Sequence, residues 1–150
     1  MNDPSQDNPT YEFFPSKGPS ILSPILQKTL PANLYPLTWL LPSGKLLIQS
    51  NWATVLLDYE QNKETPLDNI PDAVRVYPAS AGTIMLPLTP ANNYTATVLF
   101  CGGSNVQPAT YGDSSLSRAR APFSTAILII GGRHRTLLFR PILRQHRVLL

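Results

Sequence analysis

The chain has 150 residues, 43% of them hydrophobic and 14% charged, which suits one domain with a buried core. Its 16 prolines leave little room for long helices, and a single cysteine excludes an internal disulfide or a multi-cysteine zinc site. The net charge of +3 averages two unlike parts: residues 1–117 hold five cations against all nine carboxylates, a balance of −4, whereas residues 118–150 hold seven arginines and no carboxylate.

Residues 1–10 are polar and proline-bearing and read as a disordered lead. They have no basic start and no apolar run, so no signal peptide is visible. Tyr11-Glu12-Phe13-Phe14 reads as a short strand stopped by Pro15. Residues 15–33 carry four prolines and read as an extended connection with one helical turn near 25–30. From Leu34 the pattern sharpens. Tyr35 to Leu41 is strand-like. Pro42-Ser43-Gly44-Lys45 is a tight turn in which proline presets φ and glycine takes the positive-φ position. Leu46–Ser50 returns, Asn51-Trp52 turns, and Thr54–Tyr59 is a third strand, closed by a polar turn over 60–65. A second unit runs from Arg75-Val76-Tyr77-Pro78 through a strand over 83–88, a turn over 89–93 and a strand over 94–101, ending in Gly102-Gly103. The Tyr-Pro pairs at 35 and 77 lie 42 residues apart, and several short strands repeated at roughly 40–50 residues are the mark of propeller blades. Such blades bury their faces only against neighbours. Residues 124–132 read as one more strand with its own diglycine, followed by an Arg/Leu-rich end without turn chemistry. For 118–150 two readings stand: a tail of unrelated origin, such as a shifted frame or aberrant splice, and a basic tail for nucleic acid or an acidic membrane surface. No apolar run reaches the ~18 residues of a membrane-spanning helix.

Read together, Tyr11-Glu-Phe-Phe-Pro-Ser-Lys17, Leu30-Pro-Ala-Asn-Leu-Tyr-Pro36 and Leu41-Pro-Ser-Gly-Lys45 resemble the kelch-type propeller of fungal glyoxal oxidases. Leu57-Asp58-Tyr59, Ile70-Pro71, Arg75-Val-Tyr-Pro78, Leu86-Pro-Leu88 and Val98-Leu-Phe-Cys-Gly-Gly-Ser104 continue it in order. The resemblance covers roughly residues 9–112 and fades between Thr110 and Ser117. The resemblance implies an all-β, partial kelch-type β-propeller, about two to three blades of a seven-bladed ring, occupying 11–117 between the lead and a basic tail of 118–150. It further implies a copper-radical oxidase that converts aldehydes or primary alcohols with O₂ and releases H₂O₂. In that family two tyrosines and two histidines hold copper, and one tyrosine carries a thioether to cysteine. The stretches that supply those ligands lie outside the matched motifs, so the chain is expected to be an inactive fragment, with no catalytic, cofactor-binding or metal-binding residue and no cofactor of its own. The alternatives are a non-catalytic propeller-type interaction module using open blade edges and the aromatics Trp39 and Trp52, and an oxidase complete in itself.

Several residues invite a functional reading. Tyr77 and Tyr35 mimic the family's tyrosine motifs and read as repeat-equivalent structural residues, Tyr35 at most near the central channel. Cys101 reads as a buried thiol or the partner of a distant cysteine rather than as the cross-linked one. His134 and His146, flanked by arginines, read as solvated. Asp58, Glu60 and Glu64 read as a solvated blade tip. Asn93-Tyr94-Thr95 is a glycosylation sequon that suits an extracellular family, but with no signal peptide visible it is expected to go unused; Asn8-Pro9-Thr10 fails because of its proline. No partner is identified and nucleic acid is not expected; open sheet edges point to aggregation or self-association.

Overall fold

A computed structural model describes residues 8–30, 32–70, 74–76 and 81–103, together with the backbone of 125–130 and 133–138. Two short strands, β1 (Thr10–Tyr11) and β2 (Ile21–Leu22), pair antiparallel and lead into a one-turn helix, α1 (Pro24–Lys28). Strands β3 (Leu37–Leu40), β4 (Leu46–Ser50), β5 (Ala53–Asp58) and β6 (Lys63–Leu67) form one antiparallel sheet in chain order. Strands β7 (Gly82–Met85), β8 (Thr97–Cys101), β9 (Thr125–Ile130) and β10 (Arg133–Leu138) form a second, again in chain order. Two four-stranded antiparallel meanders, with little helix, make an all-β partial propeller of two blades.

Turn chemistry explains the first meander. Gly44 sits at φ +79, its N–H donates to the Leu41 carbonyl at 2.9 Å, and the Leu41 N–H donates to the Lys45 carbonyl at 2.9 Å. Asn51 and Asn62, each at φ 51, turn the chain between β4 and β5 and between β5 and β6; asparagine is the residue besides glycine that most readily takes this left-handed conformation. The sequence expectation of three strands and a polar turn over 60–65 is corrected: the turn is shorter, and Lys63–Leu67 is a fourth strand paired with β5 from Asp58↔Lys63 to Thr54↔Leu67. Pro66 hides this strand from sequence reading. It is tolerated because β6 is the sheet edge, where a missing N–H leaves no ladder bond unmade on the outer side. Likewise the Arg/Leu-rich end contributes β10, paired with β9 from Arg133↔Ile130 to Leu138↔Thr125. Of the strand expected over 11–14, only Tyr11 lies in β1.

Strand alternation sends residues to two opposite faces of the first sheet. On one, Leu47 joins Ile70, Val98 and Phe100 in a buried cluster flanked by Leu37, Trp39, Leu56, Leu67 and Met85. Trp39 and Phe100 meet edge to face, centroids 5.5 Å apart at 76°, so this cluster joins the two sheets. Described residues of the connection between them are buried: the Ile70 N–H donates to the Trp52 carbonyl at 2.8 Å, and Ile70, Val74, Arg75 and Val76 are buried. On the other face Ile48, Ala53, Val55 and Leu57 pack with Ile25 of α1 and with Tyr11, Leu26, Leu46 and Tyr59. The first sheet is thus covered on both sides.

Candidate functional site

One cleft among the described residues lies where β1, α1 and the connection into β3 cross the first sheet. A cavity of about 290 Å³ opens there, walled by Tyr11, Phe13, Leu26, Leu46, Leu57 and Tyr59 among others. Its wall is almost entirely apolar. Its polar groups are the Tyr11 phenol, which donates to Asn62 Oδ1 at 3.0 Å, the Tyr59 phenol, the exposed Glu12 carboxylate and the hydroxyls of Ser23 and Thr38. Burial, and secondarily the Glu64 carboxylate, raises the Tyr11 phenol above its ordinary value. The Ser23 hydroxyl of the wall is bonded to the Glu64 carboxylate, but it is buried and spent on holding α1. The arrangement suits a packing cleft.

Glu64 organises one side of the cleft. Ser23 stands at the N-cap of α1 but makes no capping bond with its side chain. Its hydroxyl instead donates to Glu64 Oε1 at 2.6 Å, while the Ile25 N–H, an orphan donor of the first turn, donates to Glu64 Oε2 at 2.8 Å. A carboxylate on β6 therefore caps a helix about forty residues away in sequence. This corrects the expectation that Asp58, Glu60 and Glu64 form a solvated tip. Glu60 is exposed, Asp58 pairs with Lys45 Nζ at 3.5 Å and accepts the Gln61 N–H at 3.2 Å, and Glu64 is a half-buried staple. Thr29 is a second staple missed in sequence: its hydroxyl donates to the Ile25 carbonyl at 2.8 Å and lies 2.7 Å from Ser50 Oγ, buried between α1 and β4.

The other residues of interest do not converge. Tyr35 is 74% exposed at φ 51, ahead of the edge strand β3. Cys101 is exposed and free, not buried. The register explains why: Val98 and Phe100 turn to the core, so Cys101 turns to the opposite face, across from Gly82, which offers no side chain to cover it. His134 lies in the backbone of β10, paired with Ile129. Tyr77 and His146 lie outside the described residues. Among the described residues no three of His, Cys, Asp or Glu come together as a metal site. Nor is any helix there long and apolar enough to cross a membrane.

The two four-stranded antiparallel sheets define a partial β-propeller. The sequence profile described as "Glyoxal oxidase N-terminus" matches residues 5–136, and the chain belongs to that family. The match runs past the expected limit near residue 112 and takes in β9 and part of β10, which corrects that limit. The chain is 37% identical over 104 residues to aldehyde oxidase GLOX of Vitis pseudoreticulata, across 63% of this chain and 19% of that protein. It is 40% identical over 80 residues to aldehyde oxidase GLOX1 of Arabidopsis thaliana, across 48% of this chain and 12% of that protein. Both are plant proteins, whereas the motifs resembled fungal members. The matched stretches cover a fifth or less of these curated relatives. No solved structure gives a significant match.

Proposed function

We propose that this chain is two blades of propeller scaffold from a copper-radical oxidase of the glyoxal oxidase type, and that the 150 residues by themselves do not oxidise aldehydes. The observation that carries this reading is the inter-sheet cluster of Leu47, Trp39, Val98 and Phe100, which packs one four-stranded sheet on the next as a propeller requires. Several polar side chains serve structure: Glu64 and Thr29 hold α1, and Asp58 holds Lys45. In this reading copper, two-electron oxidation of aldehyde and reduction of O₂ to H₂O₂ belong to the assembled propeller, to which these blades supply walls.

The test is to incubate the purified chain with Cu(II) and methylglyoxal in a peroxidase-coupled assay. Peroxide release no greater than that of free copper, with no radical absorption band, is expected. Sustained, enzyme-dependent peroxide release with such a band would overturn the proposal. A second reading, a binding module, is favoured by the exposed apolar residues Ile84, Leu86 and Leu88 of the second unit. It requires a chain that unfolds cooperatively with a β-type far-UV spectrum.

A further inference from the structure

We propose that Asn93 is an N-linked oligosaccharide acceptor when the chain is translated into a glycosylating compartment. Asn93-Tyr94-Thr95 is the chain's one Asn-x-Ser/Thr sequence not interrupted by proline. It lies in the connection between β7 and β8, just past a 3₁₀ turn over Pro90–Asn92. The two adjacent asparagines have separate tasks. Asn92 builds the turn: its Oδ1 accepts the Thr89 N–H at 3.1 Å, and its Nδ2 donates to the Pro87 carbonyl at 3.4 Å. Asn93 is exposed and its side-chain amide holds no such bond; only its backbone N–H is used, donating to the Pro90 carbonyl at 3.0 Å. At φ 51 and ψ 40 it caps the turn, so a substituent on Nδ2 projects from the loop without displacing a strand. The buried face of β8 begins only at Val98. Beside the acceptor the loop exposes Leu88 by 40% and Tyr94 by 56%, apolar surface that a bulky hydrophilic sugar would shield.

The co-reactant is a lipid-diphosphate-linked oligosaccharide. The Nδ2–C1 bond forms as the C1–O bond to the lipid diphosphate breaks. The diphosphate leaves with the electron pair, and one amide proton passes to a carboxylate of the transferase. Thr95 supplies the hydroxyl that the transferase recognises.

The full chain behind a cleavable leader is translated with endoplasmic-reticulum microsomes, and leader cleavage reports entry. One glycosidase-sensitive mass step is expected in the cleaved chain. It should vanish in Asn93→Gln and Thr95→Ala and persist in Thr95→Ser. Pro9→Ala, which opens the blocked Asn8-x-Thr10 sequence, should add a second step. A leader-cleaved wild-type chain without a step, alongside a Pro9→Ala chain that gains one, would overturn the assignment, as would a step that survives Asn93→Gln.

Discussion

Removing the Glu64 carboxylate tests whether the link between β6 and α1 holds the lead segment on the first sheet. Glu64 accepts two hydrogen bonds, 2.6 Å from Ser23 Oγ and 2.8 Å from the Ile25 N–H, and both donors belong to buried residues. Hydrogen bonds to a charged group contribute about 1.5–3 kcal/mol each, and unmaking one strands a buried donor. Glu64 itself is half-buried, so water replaces part of what is lost and the expected cost of Glu64→Ala is about 2 kcal/mol rather than the sum of two full bonds. Glu64→Gln keeps one accepting oxygen, and its NH₂ faces a serine hydroxyl that can rotate to accept, so about half of that loss is expected. Glu60→Ala, four positions earlier in the turn and exposed, is the matched control. Urea unfolding followed by tryptophan fluorescence gives the three stabilities. If Glu64→Ala falls within about 0.5 kcal/mol of Glu60→Ala, the size of an ordinary surface substitution, the staple contributes nothing.

Phe100→Ala removes a fully buried ring from the inter-sheet cluster and should cost about 3–5 kcal/mol, while the emission of Trp39, its edge-to-face partner, shifts toward that of exposed indole. The Tyr11 phenol has a raised folded-state pKa, chiefly from burial. The unfolded chain therefore ionises first, and the stability this group contributes is complete below about pH 10 and lost as pH rises through the higher folded value. Tyr11→Phe should flatten the alkaline fall in stability; an unchanged slope counts against the buried phenol. Cys101, exposed at the end of β8, should react with an aromatic disulfide reagent in the native chain as fast as in denaturant, whereas a buried thiol would lag.

Sequence patterning captured the elements whose local chemistry is complete. The Pro42–Lys45 turn, the apolar start of Leu46–Ser50 between two turns and the apolar run over 125–130 before a diglycine all carry their own local signals. It missed β6 and β10, where proline and charged residues sit on edge strands that need pairing on one side only. It also missed the roles of Glu64 and Cys101. Helix capping from 39 residues away and the facing of a strand residue toward solvent are properties of register, which sequence period leaves free by one residue. The family was legible because it rests on the order of many short turn motifs, each weak alone.

The two sheets should differ in local stability although their ladders are alike. Strands β4, β5 and β8 are all interior strands, hydrogen-bonded on both sides. What separates them is coverage of their faces. Residues of β4 and β5 are buried on both, Leu47 against the second sheet and Ile48, Val55 and Leu57 beneath α1 and the lead. In β8 only Val98 and Phe100 are buried, while Leu99 is half-buried, Cys101 is exposed, and neighbouring Ile84 of β7 is 57% exposed. In stacked architectures stability is set by such interfaces between units, and local opening follows the number of covered faces rather than the number of hydrogen bonds. Native-state hydrogen exchange is therefore expected to find amides of β4 and β5 slower than those of β8, with Phe100→Ala raising exchange in β8 more than in β5, since the latter keeps the face held by Ile25. Equal protection of β4, β5 and β8, or faster exchange in β4 and β5, would mean that ladder bonds rather than face coverage set local stability in these blades.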